Sequence, residues 1–170
     1  SVADTVARRS RSPTLLVRPA DDTSPPALEN QSAFQRILVP LDGSAASTAI
    51  LDHAFAVGTT STEYTLLRVV QPILPFSAEG IAVTPLLSDE THTLRRERAE
   101  QDLQEQAAAL QRQGHNVRTL VSPESFVAGA ILDCAESMGA ELIAMTTHGH
   151  GGAVRLLLGS VADKVVRGAA

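Results

Sequence analysis

The 170-residue chain predicts an α/β protein built on an open parallel sheet with helices on both faces. Two observations carry this. Segments of strand length alternate with helical patterns in the order β-α-β-α-β-α-β-α, for which right-handed crossovers are the economical connection. Two of the strand segments, RILVPL (36–41) and ELIAMT (141–146), are near-continuous apolar runs. Such runs suit strands covered on both faces, as parallel strands are.

The elements follow in order. After the strand at 36–41, Asp42-Gly43-Ser44 is turn and cap chemistry. The next helix places Ala46, Ile50, Leu51, Ala54 and Phe55 on one face. TEYTLLRVV (62–70) is the second strand. QPILPFSAEGIAVTPLL (71–87) holds three prolines and reads as a loop. A long helix from about 89 to 113 carries Leu94, Leu103, Ala107 and Leu110 as its apolar stripe, and Gly114 ends it. HNVRTLV (115–121) is the third strand. Ser125 caps a helix over 126–138, ended by Gly139, in which Cys134 falls on the apolar pattern as a small buried hydrophobe. The strand at 141–146 leads into a glycine-rich loop, THGHGGAVRLLLG (147–159), with a short helical turn at 154–158. Ser160 opens the last helix.

Composition narrows the function. Hydrophobic residues make up 44% of the chain but aromatic residues only 3%, so the core must be aliphatic. The net charge is −5 and no basic block occurs, which argues against nucleic acid. The ARRSR stretch (7–11) reads as a solvated helix end. A single cysteine excludes an internal disulfide and a multi-cysteine zinc site. No apolar run approaches the roughly 20 residues that span a bilayer. A cytoplasmic protein with no membrane partner is expected. His53, His92 and His115 read as solvated, and His148 with His150 lack a third ligand, so no metal site is expected.

A short segment occurs twice. SVADTVARRS (1–10) and SVADKVVRGA (160–169) agree at six of ten positions, 159 residues apart. The first copy continues into SPTLLVRP (12–19), which reads as a strand. Residues 1–19 are therefore expected to be the helix and strand that end a preceding repeat. Residues 20–33 form a polar, proline-bearing linker, and 34–170 form a domain lacking its own final strand. Thr14–Arg18 should fill the edge beside the fourth strand, from its own chain or a partner, giving a homodimer or pseudo-dimer.

Ligands of open parallel sheets bind beyond the carboxyl ends of the strands. Two segments lie there, 40–44 and 146–160. Asp42 can accept two hydroxyl bonds, as ribose recognition requires, or close a turn onto Ser44; the two roles are compatible. Ser160-Val-Ala-Asp163 has capping-box spacing, and a helix start offers N–H groups to a phosphate. Gly149, Gly151 and Gly152 could add a second wall of donors. A flexible glycine turn with a plain helix cap is the rival reading. Other motifs fail: the only lysine, Lys164, lies inside a helix and cannot serve a Walker A loop, and no G-x-S-x-G elbow exists. A receiver-type phosphoacceptor role for Asp42 would leave the glycine block unexplained. No general base stands beside a nucleophile, so no catalytic residue is assigned.

ILVPLDGS (37–44) together with THGHGGAVRLLLGSVADKVVRGA (147–169) resembles the universal stress protein family, over about 36–170. The resemblance implies a five-stranded parallel sheet of order 3-2-1-4-5, of the adenine nucleotide alpha hydrolase-like type. The ATP-binding branch carries glycine, two residues, glycine, nine residues, glycine, then Ser or Thr. Here Gly149 is the second glycine, and Gly159 and Ser160 complete the motif. The first glycine falls on Thr146, which adds bulk or a new hydroxyl contact. By this resemblance Asp42 holds the ribose, and Pro40, Leu41, Val69 and Met145 frame the adenine. His148, Gly149, Gly159, Ser160 and Val161 surround the phosphates, and Thr146 stands where the backbone passes the nucleotide. ATP, or ADP or AMP, would bind with Mg²⁺. The family includes tandem two-domain members, and PTLLVRP (13–19) resembles its final strand. The implied function is a nucleotide-binding stress-response module with slow or no hydrolysis. The alternative is an interaction module of the same fold without nucleotide, favoured by Thr146.

Overall fold

The computed structural model describes residues 12–17, 34–72, 85–147 and 159–169. Its sheet is parallel, with four strands among the described residues: β1 (Arg36–Pro40), β2 (Glu63–Val69), β3 (Asn116–Ser122) and β4 (Leu142–Ile143), in spatial order β3-β2-β1-β4. β1 is central, pairing Arg36 through Pro40 with Glu63 through Leu67 on one side, and Ile37 and Leu38 with Leu142 and Ile143 on the other. Its apolar run has the expected cause: Ile37, Leu38 and Val39 are wholly buried. The parallel sheet and the order 3-2-1-4 match the expectation. A fifth strand is not among the described ones. Leu15, Leu16 and Val17 are exposed, and residues 12–17 lie outside the described ladders.

Five helices complete the described residues: α1 (Ala45–Thr48), α2 (Ile50–Val57), α3 (Pro85–Arg112), α4 (Val127–Met138) and α5 (Ser160–Gly168). They divide the core between the two faces of the sheet. On one face Ile37, Val39 and Leu41 of β1 and its exit pack with Tyr64 and Leu66 of β2, beneath Leu51 and Ala54 of α2 and Leu103, Ala107 and Leu110 of α3. On the other, Leu38 and Leu67 pack with Ala128 and Ile131 of α4 and Val165 of α5. Alternate residues of β1 and β2 thus serve opposite layers, the period-two rule at work. Cys134 packs partly into the second core, and burial pushes its thiol above the usual range.

Several expected details differ. The first helix is broken at Ala49 into α1 and α2. The Ser47 and Thr48 hydroxyls both donate to the Ser44 carbonyl, at 2.9 and 3.2 Å, competing with the backbone ladder. Ser47 is buried there, and Ala46 is exposed. α3 starts at Pro85 rather than near 89, a residue suited to the first helical position. Leu94 is 65% exposed. The reason is length: the 28 residues of α3 span about 42 Å at about 1.5 Å each, well beyond the sheet. The cap of α4 is Phe126 with no side-chain bond, and Ser125 instead offers its carbonyl to Gln71 Nε2 at 2.8 Å. β4 spans two residues, although Glu141 N and Ala144 N still donate to Arg36 and Leu38 carbonyls at 2.9 Å. His115 is not solvated: it stacks on Phe55 with centroids 3.8 Å apart. His92 is half-buried, and its Nε2 has no partner among the described residues. Gly114 and Gly139 end their helices at φ +93° and +61°, as expected. The turn expected at 154–158 lies outside the described residues.

Leu103→Ala removes a wholly buried side chain where α3 meets the sheet and should cost about 2–5 kcal/mol of unfolding free energy. Leu94→Ala, on the same helix, should stay within about 0.5 kcal/mol. Urea denaturation of the two variants measures the difference.

Candidate functional site

The carboxyl edge of the sheet brings the expected residues into one row. β1 and β2 pair Pro40 with Leu67, and two residues further along each chain stand Asp42 and Val69. β1 and β4 pair Leu38 with Ile143, and two residues on stand Pro40 and Met145. Leu41 N donates to Leu67 O at 2.8 Å, extending the ladder past the end of β1. The chain leaves β1 for β2 and β3 on one side and returns to β4 on the other, so the strand order reverses between β1 and β4.

Asp42 closes the turn after β1. Its Oδ1 accepts from Ser44 N at 2.9 Å and from Ser44 Oγ at 2.6 Å. Ser44 in turn caps α1, its Oγ accepting from Ser47 N at 3.0 Å. Between them Gly43 has φ +91°, which favours glycine. A β-carbon there would also lie 2.8 Å from Arg68 Nη1. Gly43 therefore allows the Arg68 guanidinium to lie across the turn.

The second wall is the start of α5. Its cap is Gly159, which makes no side-chain bond, so Ser160 is the first helical residue rather than the cap. The capping box read from Ser160 to Asp163 does not form. Asp163 instead pairs with Arg167, its oxygens 3.0 and 3.3 Å from Nε and Nη2. Gly159 N donates to Thr147 O at 2.8 Å, tying the helix start to the exit of β4. A β-carbon on Gly159 would sit 2.7 Å from that same oxygen. Ser160 is exposed, and the first-turn N–H groups of Ser160, Val161 and Ala162 have no carbonyl of their own helix to bond. Met145 and Val161 pack partly into the second core, and Thr146 is half-buried. His148 and Gly149 lie outside the described residues.

Four residues of this edge have no place in the sequence reading. A cavity of about 750 Å³ opens between the end of β2 and α3, lined by Asp42, Val69, Arg68, Arg95, Arg98 and Asp102 among others. Arg68 follows Leu66 on the α3 face of β2, as Val69 follows Leu67 on the opposite face. Burial lowers the Arg68 guanidinium from its ordinary range, with Asp102 and then Asp42 opposing. The signals were a lone cation in an apolar strand and the i, i+3, i+7 spacing of Arg95, Arg98 and Asp102.

A parallel sheet whose order reverses at its central strand, with polar turns and a helix start beyond its carboxyl ends, places the chain in the class of open α/β domains, in which ligand sites lie at the switch point. The chain belongs to the universal stress protein family, whose model matches residues 33–170. Universal stress protein MJ0531 of Methanocaldococcus jannaschii is 30% identical over 142 residues, 82% of this chain and 79% of its own. The universal stress protein UspA from Lactobacillus plantarum shares the fold, with a TM-score of 0.68 at 21% identity over 82% of this chain and 94% of that one. A universal stress protein solved in complex with cAMP also shares it, with a TM-score of 0.55 at 20% identity over 80% and 91%.

The close approach at Gly159 separates two kinds of variant. Gly159→Val should destabilise the fold by about 1–3 kcal/mol through overpacking against Thr147, whether or not a ligand is present. Ser160→Ala, at an exposed position with no cap bond, should change stability by less than about 0.5 kcal/mol. Thermal denaturation of both without ligand tests this.

Proposed function

We propose that the chain is a cytoplasmic regulatory module that binds an adenine nucleotide and senses or stores ATP. The observation that carries this reading is the row of Pro40, Asp42, Val69 and Met145 along the carboxyl edge of three adjacent strands, beside the start of α5, which Gly159 lets approach Thr147 closely. A relative of the same fold was solved with cAMP, an adenine nucleotide. In this reading the Asp42 carboxylate accepts the ribose hydroxyls. Pro40, Leu41, Val69 and Met145 frame the base through apolar and backbone contacts. Thr146, His148, Gly149, Gly159, Ser160 and Val161 surround the phosphates. The donor set suits that charge: unbonded first-turn N–H groups at the positive end of a helix. Mg²⁺ would ride on phosphate oxygens and water, its usual mode. Among the described residues no group of three His, Cys, Asp or Glu side chains could hold a metal, and no helix is long and apolar enough to cross a membrane.

Calorimetry with ATP, ADP and AMP tests the proposal. Saturable heat is expected, with Asp42→Asn weakening every nucleotide by about ten- to hundredfold, the scale of about 1.5–3 kcal/mol for a hydrogen bond to a charged group. Absence of heat above dilution at millimolar nucleotide would sink the reading.

A second reading is favoured by the exposure of Leu15, Leu16 and Val17, at 52%, 38% and 44%. β4 is the outermost described strand on its side of the sheet. We infer that Thr14–Arg18 docks beside β4 of another copy, giving a homodimer, or a pseudo-dimer within a tandem chain where 1–19 closes a preceding repeat and 20–33 links to 34–170. Such docking hides an apolar strand and an open ladder together. Sedimentation equilibrium should find a dimer that Leu16→Asp converts to monomer. A wild-type monomer at every concentration would refute this reading.

A further inference from the structure

The cavity between β2 and α3 shares Asp42 and Val69 with the nucleotide reading but also carries arginines that this reading does not use. Three guanidinium groups, Arg68, Arg95 and Arg98, line it together with the carboxylates of Asp42 and Asp102. Arg68 is half-buried, and its Nε is wholly buried with no hydrogen-bond partner among the described residues. Asp102 and then Asp42 favour its charge, but Nε is left as a buried donor with no acceptor among the described residues, which an incoming anion would satisfy. α3 shows what ordinary pairing looks like: Arg96 and Glu100, four apart, form an ion pair at 2.8 Å. Arg98 and Asp102 have the same spacing on the cavity side, yet neither they nor Arg95 form an ion pair among the described residues. The cations are left facing the cavity in excess of the two carboxylates.

We propose that this cavity is a subsite for a phosphate-bearing anion, bound by the guanidinium groups of Arg68, Arg95 and Arg98. Planar guanidinium groups take phosphate oxygens in paired bonds, which suits a dianion better than a single carboxylate. The neighbouring Asp42 and Asp102 accept hydroxyl groups, so an ester with a hydroxylated carbon chain gains contacts that inorganic phosphate lacks. Burial, which lowers the Arg68 guanidinium, works in the same direction, because an anion at the cavity would restore it. Gly43 is part of the arrangement: its missing side chain leaves the room in which Arg68 lies. The subsite does not rest on the nucleotide reading, and Asp42 and Val69 are the residues common to both.

Calorimetric titration of the full chain with inorganic phosphate and with ribose 5-phosphate tests it. Both should bind, and Arg95→Gln combined with Arg98→Gln should weaken both at least tenfold. Both arginines are exposed on α3, so the double variant should fold, and circular dichroism checks that it does. A control with Arg112→Gln and Lys164→Gln removes two cations elsewhere and should change affinity less than twofold. Tighter binding of ribose 5-phosphate, abolished by Asp42→Asn, assigns the ligand as an ester; equal affinity assigns it as free phosphate. The proposal is overturned if wild type binds neither probe. It is equally overturned if the α3 double variant behaves like the control.

Discussion

Everything in this molecule hangs on the burial of β1. Ile37, Leu38 and Val39 are shut off from water on both faces, and β1 is bonded on both edges, to β2 and to β4. A strand so enclosed has no room for polar side chains along its length. Its polar residues are confined to its ends. At the amino end, Arg36 reaches Glu141 at 3.1 Å and the Gly139 carbonyl at 2.7 Å, while Gln35 N donates to Glu141 at 2.6 Å. These contacts latch β1 to the start of β4. At the carboxyl end the chain emerges as Asp42-Gly43-Ser44. The chemistry of the domain therefore concentrates at the exit of the strand that is least able to carry it inside.

The two layers around the sheet meet that edge differently. On the side of α4 and α5, apolar packing runs to the rim, through Val69, Met145 and Val161. On the side of α3 the apolar column of β2 stops at Leu66, and the next residue on that face is Arg68. A step of one residue along β2 thus divides the edge into an apolar flank and a charged one, because neighbouring side chains point to opposite faces. α3 makes the division possible, since its amino-terminal half extends past the sheet and carries Arg95 and Arg98 beside the rim.

The central fold was legible because its cause is local. Continuous apolar runs at 36–41 and 141–146, a segment of strand length at 62–70 and glycines at 114 and 139 each speak for themselves in the sequence. What misled was interaction between neighbours. Ser44 was readable as a cap, but not the Ser47 and Thr48 hydroxyls that share its carbonyl with Thr48 N. Ser160 and Asp163 have capping-box spacing, yet Arg167 four residues on takes the carboxylate, and the cap falls to Gly159. His115 looked solvated because nothing in its own segment announces Phe55. At the site, Asp42 and Gly159 stood out as residue types unusual for their places. The arginines of the cavity did not, since charges on a long helix are ordinary until a strand end is set against them.

The clasp between Asp42 and Ser44 has a consequence for recognition. Two donors on one oxygen fix the plane of the carboxylate before anything arrives. A side chain frozen in advance loses little freedom on binding, a saving of about 0.5–1.5 kcal/mol relative to one that must be ordered. In the nucleotide reading proposed above, a ribose whose hydroxyls miss that preset direction would forfeit the contact.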